Sequence, residues 1–138
     1  MAVIREAKNE DTAVLEEIFQ ITRQKTFQQT PAEDFKLGDY KKQTEGEEVW
    51  LIEEDGRAVG FISLYLPDDF IHHLFVHPDF QGRGYGQQLL KKAEVRLARP
   101  MTLKVSMDNI KVCLFYEKYG WKKTSVHEQE AYILLSKD

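Results

Sequence analysis

The stretch from Phe70 to Leu90, F-I-H-H-L-F-V-H-P-D-F-Q-G-R-G-Y-G-Q-Q-L-L, leaves this chain few ways to fold. Ile71, Leu74, Phe75 and Val76 form a short apolar run between Pro67-Asp68-Asp69 and His77-Pro78-Asp79, which reads as a buried β-strand. Tyr85, Leu89, Ala93 and Leu97 then recur every fourth residue, with Leu90 beside them. Gln87, Gln88, Lys91, Lys92 and Glu94 take the other side, so the segment reads as an amphipathic helix. Gly82, Gly84 and Gly86 sit between the two, with Arg83 among them.

A glycine-rich turn that feeds a helix is a device for holding an anion. Glycine allows positive φ and close approach of the backbone. The first helical N–H groups lack partners in the helix, and the helix dipole favours negative charge beside them. A plain strand-to-helix turn needs one glycine, and three at alternate positions plus an Arg exceed that need. The spelling excludes two common phosphate loops. Counting from Gly82, the sixth position of G-x-G-x-x-G is Gln87, and no Gly-Lys-Ser/Thr follows.

The chain has 138 residues, enough for one hydrophobic core, and is expected to form one domain over residues 1–138. Hydrophobic residues make up 42% and charged residues 30%, ordinary for a soluble globular protein. The net charge of −4 gives no basic footprint for nucleic acid. Cys113 is the single cysteine, so no internal disulfide forms and a reducing cytoplasm is the expected location. No apolar run follows Met1, and no segment approaches the roughly 20 apolar residues of a membrane span. Neither a signal peptide nor a membrane partner is expected.

Val3-Ile4 marks a first strand over Ala2 to Ala7. Asn9 is placed to cap a helix, with Glu10 and Asp11 in its first turn and Val14, Leu15, Ile18, Phe19 and Ile21 as its apolar stripe. Thr26 to Gly46 reads as a second short helix and a mobile connection. Pro31 is its candidate first residue, and Phe35, Leu37 and Tyr40 supply apolar surface. Glu48 to Glu53 and Arg57 to Leu66 read as two strands joined at Asp55-Gly56, a strong hairpin turn. Gly60 inside the return strand signals a bulge or a close backbone approach. Pro100 ends the Leu97 helix, and Met101 to Met107 alternates as a half-buried strand parallel to the Phe70 strand. Asp108 or Asn109 caps another helix, with Val112, Phe115, Tyr116 and Tyr119 on one face and Gly120 at its end. Trp121 to Val126 and Ala131 to Leu135 close the chain as a hairpin.

Two segments carry a resemblance. Gln81-Gly82-Arg83-Gly84-Tyr85-Gly86 matches Gln/Arg-x-x-Gly-x-Gly/Ala after a strand ending in Val-His-Pro-Asp. Asn109-I-K-V-C-L-F-Tyr116-Glu117-Lys118-Tyr119-Gly120-Trp121 is similar to Asn-x-x-Ala-x-x-x-Tyr-Glu-Lys-x-Gly-Phe, departing at Val112 and Trp121 by apolar exchanges. Both resemble segments of the GNAT family, the Gcn5-related N-acetyltransferases, whose layout β-α-α-β-β-β-α-β-α-β-β covers nearly all of this chain. The resemblance implies an α/β (α+β) fold. It would have a central mixed, mostly antiparallel seven-stranded sheet, about four helices and a splayed parallel strand pair at an acetyl-CoA site.

It also implies roles. Backbone N–H groups from Gln81, Gly82, Arg83, Gly84, Tyr85 and Gly86 would hold the pyrophosphate of acetyl-CoA, with Arg83 adding charge. The Leu74-Phe75-Val76 strand would splay from Leu103-Val105, freeing backbone groups for the pantetheine arm, with the Val76 N–H as the oxyanion donor. Asn109, two turns before Tyr116 and about 10.5 Å away on a helix, would hold that arm. Tyr116 would protonate the departing thiolate, as a phenol still protonated at neutral pH can; the plainer reading of Tyr116 is a packed aromatic at core spacing. The amine acceptor must lose a proton first, which costs a lysine-like ammonium roughly 4.6 kcal/mol at neutral pH.

His72 is the candidate base, because an imidazole titrates near neutrality. Strand alternation places it on the side of Leu74 and Val76, and His73 on the other. The arylalkylamine branch of the family has a histidine at the corresponding place. Glu48 and Asp69 are the fallback carboxylates. His73 and His77 lack a third ligand, so no metal is expected, and Cys113 on its helix is a weak option for a covalent acyl route. The resemblance leaves the Thr26 to Gly46 segment as either cover for the acceptor pocket or a solvated linker. It leaves the acceptor as a small amine, a peptide N-terminus or a lysine, with an acyl-CoA sensor as the non-enzymatic rival. A monomer or homodimer is expected.

Overall fold

The computed structural model describes residues 2–26 and 38–138. The first strand, β1 (Ala2–Glu6), leads through a single 3-10 turn at Asn9–Asp11 into helix α1 (Thr12–Thr26). Asn9 does not cap this turn; it is the first residue within it. The Asp11 carboxylate does the capping work from inside, accepting the Lys8 N–H at 2.7 Å. α1 buries Leu15, Ile18, Phe19 and Thr22, while Ile21 is 38% exposed. The inward stripe thus follows the i, i+3, i+4, i+7 face from Leu15, and Ile21 falls off it.

α2 (Asp39–Gln43) is a five-residue helix. Its start is tied to α1, because the Gly38 and Tyr40 N–H groups donate to the Glu16 carboxylate. The expected helix start at Pro31, with Phe35 and Leu37, lies outside the described residues. The strands β2 (Glu48–Glu54), β3 (Arg57–Tyr65) and β4 (Phe70–Val76) follow as an antiparallel run. Then come α3 (Tyr85–Arg96), β5 (Met101–Ser106), α4 (Ile110–Lys118), β6 (Lys122–His127) and β7 (Tyr132–Lys137). The described residues form a seven-stranded sheet in the order β1-β2-β3-β4-β5-β7-β6. Every neighbouring pair is antiparallel except β4 and β5. Among the described residues no helix is long and apolar enough to cross a membrane.

The helices divide between the two faces of the sheet. Leu89, Leu90 and Ala93 of α3 share a core with Ile62, Ile71, Leu103 and Leu135. Leu15, Ile18 and Phe19 of α1 and Tyr40 of α2 share a second core with Leu51 and Phe61. Two irregularities shape the middle of the sheet. Opposite Ile52 and Glu53 the β3 partners are Gly60 and Ala58, so Val59 is an extra residue. A Cβ at Gly60 would lie 2.9 Å from the Phe75 carbonyl oxygen, so the strand is both bulged and closely approached there. Opposite Ser63 and Leu64 the β4 partners are His73 and Ile71, so His72 is likewise extra.

This second bulge overturns the expected facing of His72, whereas His73 keeps the side that alternation gives it. Across a bulge the two-residue alternation of side chains slips by one. The His72 and His73 rings stack with centroids 3.9 Å apart, on one face. His73 packs edge-on against Phe19 of α1, at 5.2 Å. Leu74 and Val76 pack against the core on the α3 side. His72 is therefore on the opposite face from Leu74 and Val76.

Candidate active site

The parallel ladder between β4 and β5 holds only two residue pairs, Phe70 with Thr102 and Ile71 with Leu103. Beyond them the strands part. A cleft of about 1260 Å³ opens at the parting, between α3 and α4. Leu74 and Val76 line it from β4, and Ser106 lines it from the end of β5. The loop supplies Gln81, Gly82, Gly84, Tyr85 and Gly86, and the α4 side supplies Asn109, Val112, Phe115 and Tyr116.

The loop is shaped by backbone conformation. Gly82 and Gly84 have φ of 80° and 82°, and a Cβ at either would meet no atom within 4 Å. Glycine is needed there for its left-handed φ. Among the described residues, the backbone N–H groups of Arg83, Gly84, Tyr85 and Gly86 make no bond to backbone or side chain. These are the donors that an anion at a helix start would take. The loop is braced from outside by β2. Glu54 accepts the Tyr85 hydroxyl at 2.6 Å and Arg83 Nη1 at 3.0 Å. Gln81 Nε2 donates to the Val76 carbonyl at 2.9 Å, tying the loop to the strand end.

Two of the expected site residues, Arg83 and His72, are placed differently, while Phe75 offers its backbone to the strand and its ring to the other face. The Arg83 guanidinium does not line the cleft: it is held by Glu54 and lies over the Phe80 ring at 4.9 Å. Phe75 turns its ring to the α1 side, against Phe19 and Phe61. His72 is carried to that same face by the bulge, and its Nδ1 lies 2.6 Å from Glu47 Oε2. Asn109 lines the cleft and, of the two cap candidates, is the one that caps α4. Its Oδ1 accepts the Val112 N–H at 3.4 Å.

Tyr116 is nearly buried where it lines the cleft, and its ring packs edge-on to Phe115 and Trp121. Burial pushes its phenol well above the ordinary value. Its backbone is pinned as well. The Trp121 N–H donates to the Tyr116 carbonyl at 3.1 Å, and the Gly120 N–H to Glu117 at 3.2 Å, the paired bonds of a Schellman helix end. Cys113 lies buried on the same helix away from the cleft lining, and burial raises its thiol, opposite to what a nucleophile needs.

The two fallback carboxylates are committed elsewhere. Glu48 binds Arg96 at 2.6 and 2.8 Å and the Trp50 indole at 2.6 Å, and the Arg96 bonds hold its carboxyl below the ordinary range. Asp69 accepts the Ala98 N–H at 3.0 Å. Glu47, which the sequence reading passed over, sits behind His72 with its side chain only 7% exposed, and its Oε1 is buried without a partner. Among the described residues three lysines also line the cleft, Lys25 from α1 and Lys111 and Lys118 from α4, against one acid, Asp108. Lys111, Phe115 and Lys118 follow helical spacing, so their shared face was open to reading; Lys25 gave no local signal.

Solved structures share this fold. The crystal structure of PaiA N-acetyltransferase from Thermoplasma acidophilum in complex with coenzyme A superposes with a TM-score of 0.86 over 100% of this chain and 99% of that one, at 20% identity. The solution structure of apo YjaB from Escherichia coli gives 0.68 at 25% identity, covering 99% and 95%. In sequence, the peptidyl-lysine N-acetyltransferase YjaB of Salmonella typhimurium is 32% identical over 81 residues, 58% of this chain. An uncharacterised N-acetyltransferase of Methanocaldococcus jannaschii, MJ1207, is 38% identical over 90 residues, 56% of this chain. The chain spans about half the length of the curated relatives it matches, 54% of the first and 40% of the second. The model of the Acetyltransferase (GNAT) family matches residues 13–121, a span that holds β2 to β5 and every residue named above as lining the cleft. With the parted strands, the glycine loop and the tyrosine of α4 in place, the chain belongs to the GNAT acetyltransferase family.

Proposed function

We propose that residues 1–138 act as one N-acetyltransferase domain that moves acetyl from acetyl-CoA to a primary amine by direct attack while both substrates are bound. The observation that carries this reading is Tyr116, nearly buried and protonated, in a cleft whose other wall is a glycine loop with unpaired N–H groups. The chain's residues fit acetyl-CoA. The N–H groups from Arg83 to Gly86 suit a pyrophosphate, and Lys25, Lys111 and Lys118 make the cleft cationic although the whole chain carries −4. Leu74, Val76 and Asn109 suit the arm that follows.

In the transfer, the amine nitrogen gives its lone pair to the thioester carbon and the C–N bond forms. The Val76 N–H serves as the oxyanion donor, as the resemblance implies. The C–S bond then breaks, its electron pair leaves on sulfur, and Tyr116 supplies a proton there. His72 takes the amine's proton. Glu47 at Nδ1 fixes which nitrogen of the ring faces outward. His73 is no base, since burial holds it down to about 3. One relative is named a peptidyl-lysine N-acetyltransferase, so lysine peptides stand beside small amines as acceptors to test. Free CoA release, measured with acetyl-CoA against small amines and lysine peptides, tests the reading. Tight binding of acetyl-CoA with no release for any amine would replace it with an acyl-CoA sensor.

A further inference from the structure

The helices cover the two sheet faces unequally. α1 and α2 pack on Leu51 and Phe61, over one half of their face. The other half, over β5, β7 and β6, carries Lys104, Tyr132 and His127, and Lys104 is exposed between buried Leu103 and Val105. A row of side chains crosses this strip, which no described helix covers. The His127 ring stacks on Tyr132 at 4.4 Å. Lys104 Nζ stands 4.7 Å over the Tyr132 ring and 5.9 Å from the Phe70 ring. Phe70 in turn lies 6.2 Å from His72, which Glu47 backs at 2.6 Å.

The position of the row matters as much as its content. The last ladder pair of β4 and β5 is Ile71 with Leu103. The next residues are His72 and Lys104, so these two flank the parting of the strands on this face, opposite the cleft that Leu74 and Val76 line. Their charges differ in kind. His72 has a carboxylate behind it. Lys104 has none among the described residues, whereas Arg5, Arg83, Arg96 and Lys137 each sit against an acid.

We propose that this strip binds the amine acceptor, and that the acceptor carries a carboxylate, its amine at the His72–Glu47 end of the parting and its acid at Lys104. The proposal rests on the acetyltransferase reading above. A cation standing over ring faces keeps its full charge while part of its hydration is replaced by π surface. A carboxylate reaching it makes a charge-assisted hydrogen bond. The chain's net charge favours a cationic acceptor, but only charges within about 8 Å count at physiological salt, and the strip itself offers one charge of each sign, Glu47 behind His72 at one end and Lys104 at the other. Phe70 lies between the two poles, which suits a compact, partly apolar body between amine and acid.

The test uses matched pairs, amino acids and their carboxamides, together with a phosphate-bearing amine, a polyamine and a lysine peptide, read by CoA release. The acid of each pair should exceed its amide in kcat/KM by about tenfold or more, mostly through KM. In Lys104→Gln the acid should fall until the two agree within about twofold, and Lys104→Glu should reverse their order. An acetyl-CoA Kd in the wild-type range certifies that both variants fold. Equal turnover of acid and amide by the wild type, or a preference that survives Lys104→Gln, overturns the proposal. So does a preference for the phosphate-bearing amine over the carboxylates. Turnover confined to the polyamine or the lysine peptide overturns it while the acetyltransferase reading stands; no release with any amine removes both.

Discussion

At Tyr116 and His72 one side chain answers for one proton. Tyr116→Phe keeps the ring that packs on Phe115 and Trp121 and removes only the hydroxyl. It should lower kcat by an order of magnitude or more with the acetyl-CoA KM little changed. An unaltered kcat would take Tyr116 out of the proton transfer. His72→Ala should lower kcat/KM for the amine by roughly a hundredfold near neutral pH. The deficit should shrink as pH rises toward the amine's own pKa, near about 10.4, because more of the amine then arrives neutral. A deficit that stays constant with pH would mean that His72 only positions the acceptor. Glu47 belongs to the same unit, since a buried carboxylate with one unpartnered oxygen is retained at a cost unless it holds something in place.

Elements set where those side chains point, and here the bulges decide. Gly60→Ala would press a Cβ to 2.9 Å from the Phe75 carbonyl, which is backbone and cannot step aside cheaply. Overpacking of this kind costs about 1–3 kcal/mol, so the denaturation midpoint should fall, and a midpoint equal to wild type would show that β3 and β4 separate freely. Gly60 was legible in the sequence because glycine inside a β-branched run has few other reasons to be there. The run of strands, the Gln81–Gly86 loop, the α4 face and its Gly120 ending were legible for the same reason: each rests on spacing within a few residues. The facing of His72 was not. Its bulge arises from pairing with Ser63 and Leu64, residues a strand away, and alternation along β4 alone gives the wrong side. Arg83 is a similar case, because its partner Glu54 comes from β2 and no local pattern joins them. Ile21 was assigned to the α1 stripe one position away from the Thr22 that is buried.

For the whole molecule, pH acts through His73. Burial first, then the neighbouring His72 and Arg23, holds the folded His73 down to about 3. In the unfolded chain a histidine titrates near about 6.5. Between those values the unfolded chain binds a proton that the folded one refuses, so stability is complete above the upper value and falls as pH drops through the window. The loss is on the order of a few kcal/mol, read as a falling urea midpoint from about pH 7 to about pH 4. His73→Leu should flatten that slope, and a slope unchanged in the variant would assign it to other groups. The extra residue in β4 reaches further than the strand it kinks. It puts the imidazole on one side of the sheet and the thioester cleft on the other, so donor and acceptor enter by separate doors and neither blocks the other's way in. Free CoA should then inhibit competitively against acetyl-CoA yet only non-competitively against the amine, and initial-rate lines for the two substrates should intersect rather than run parallel.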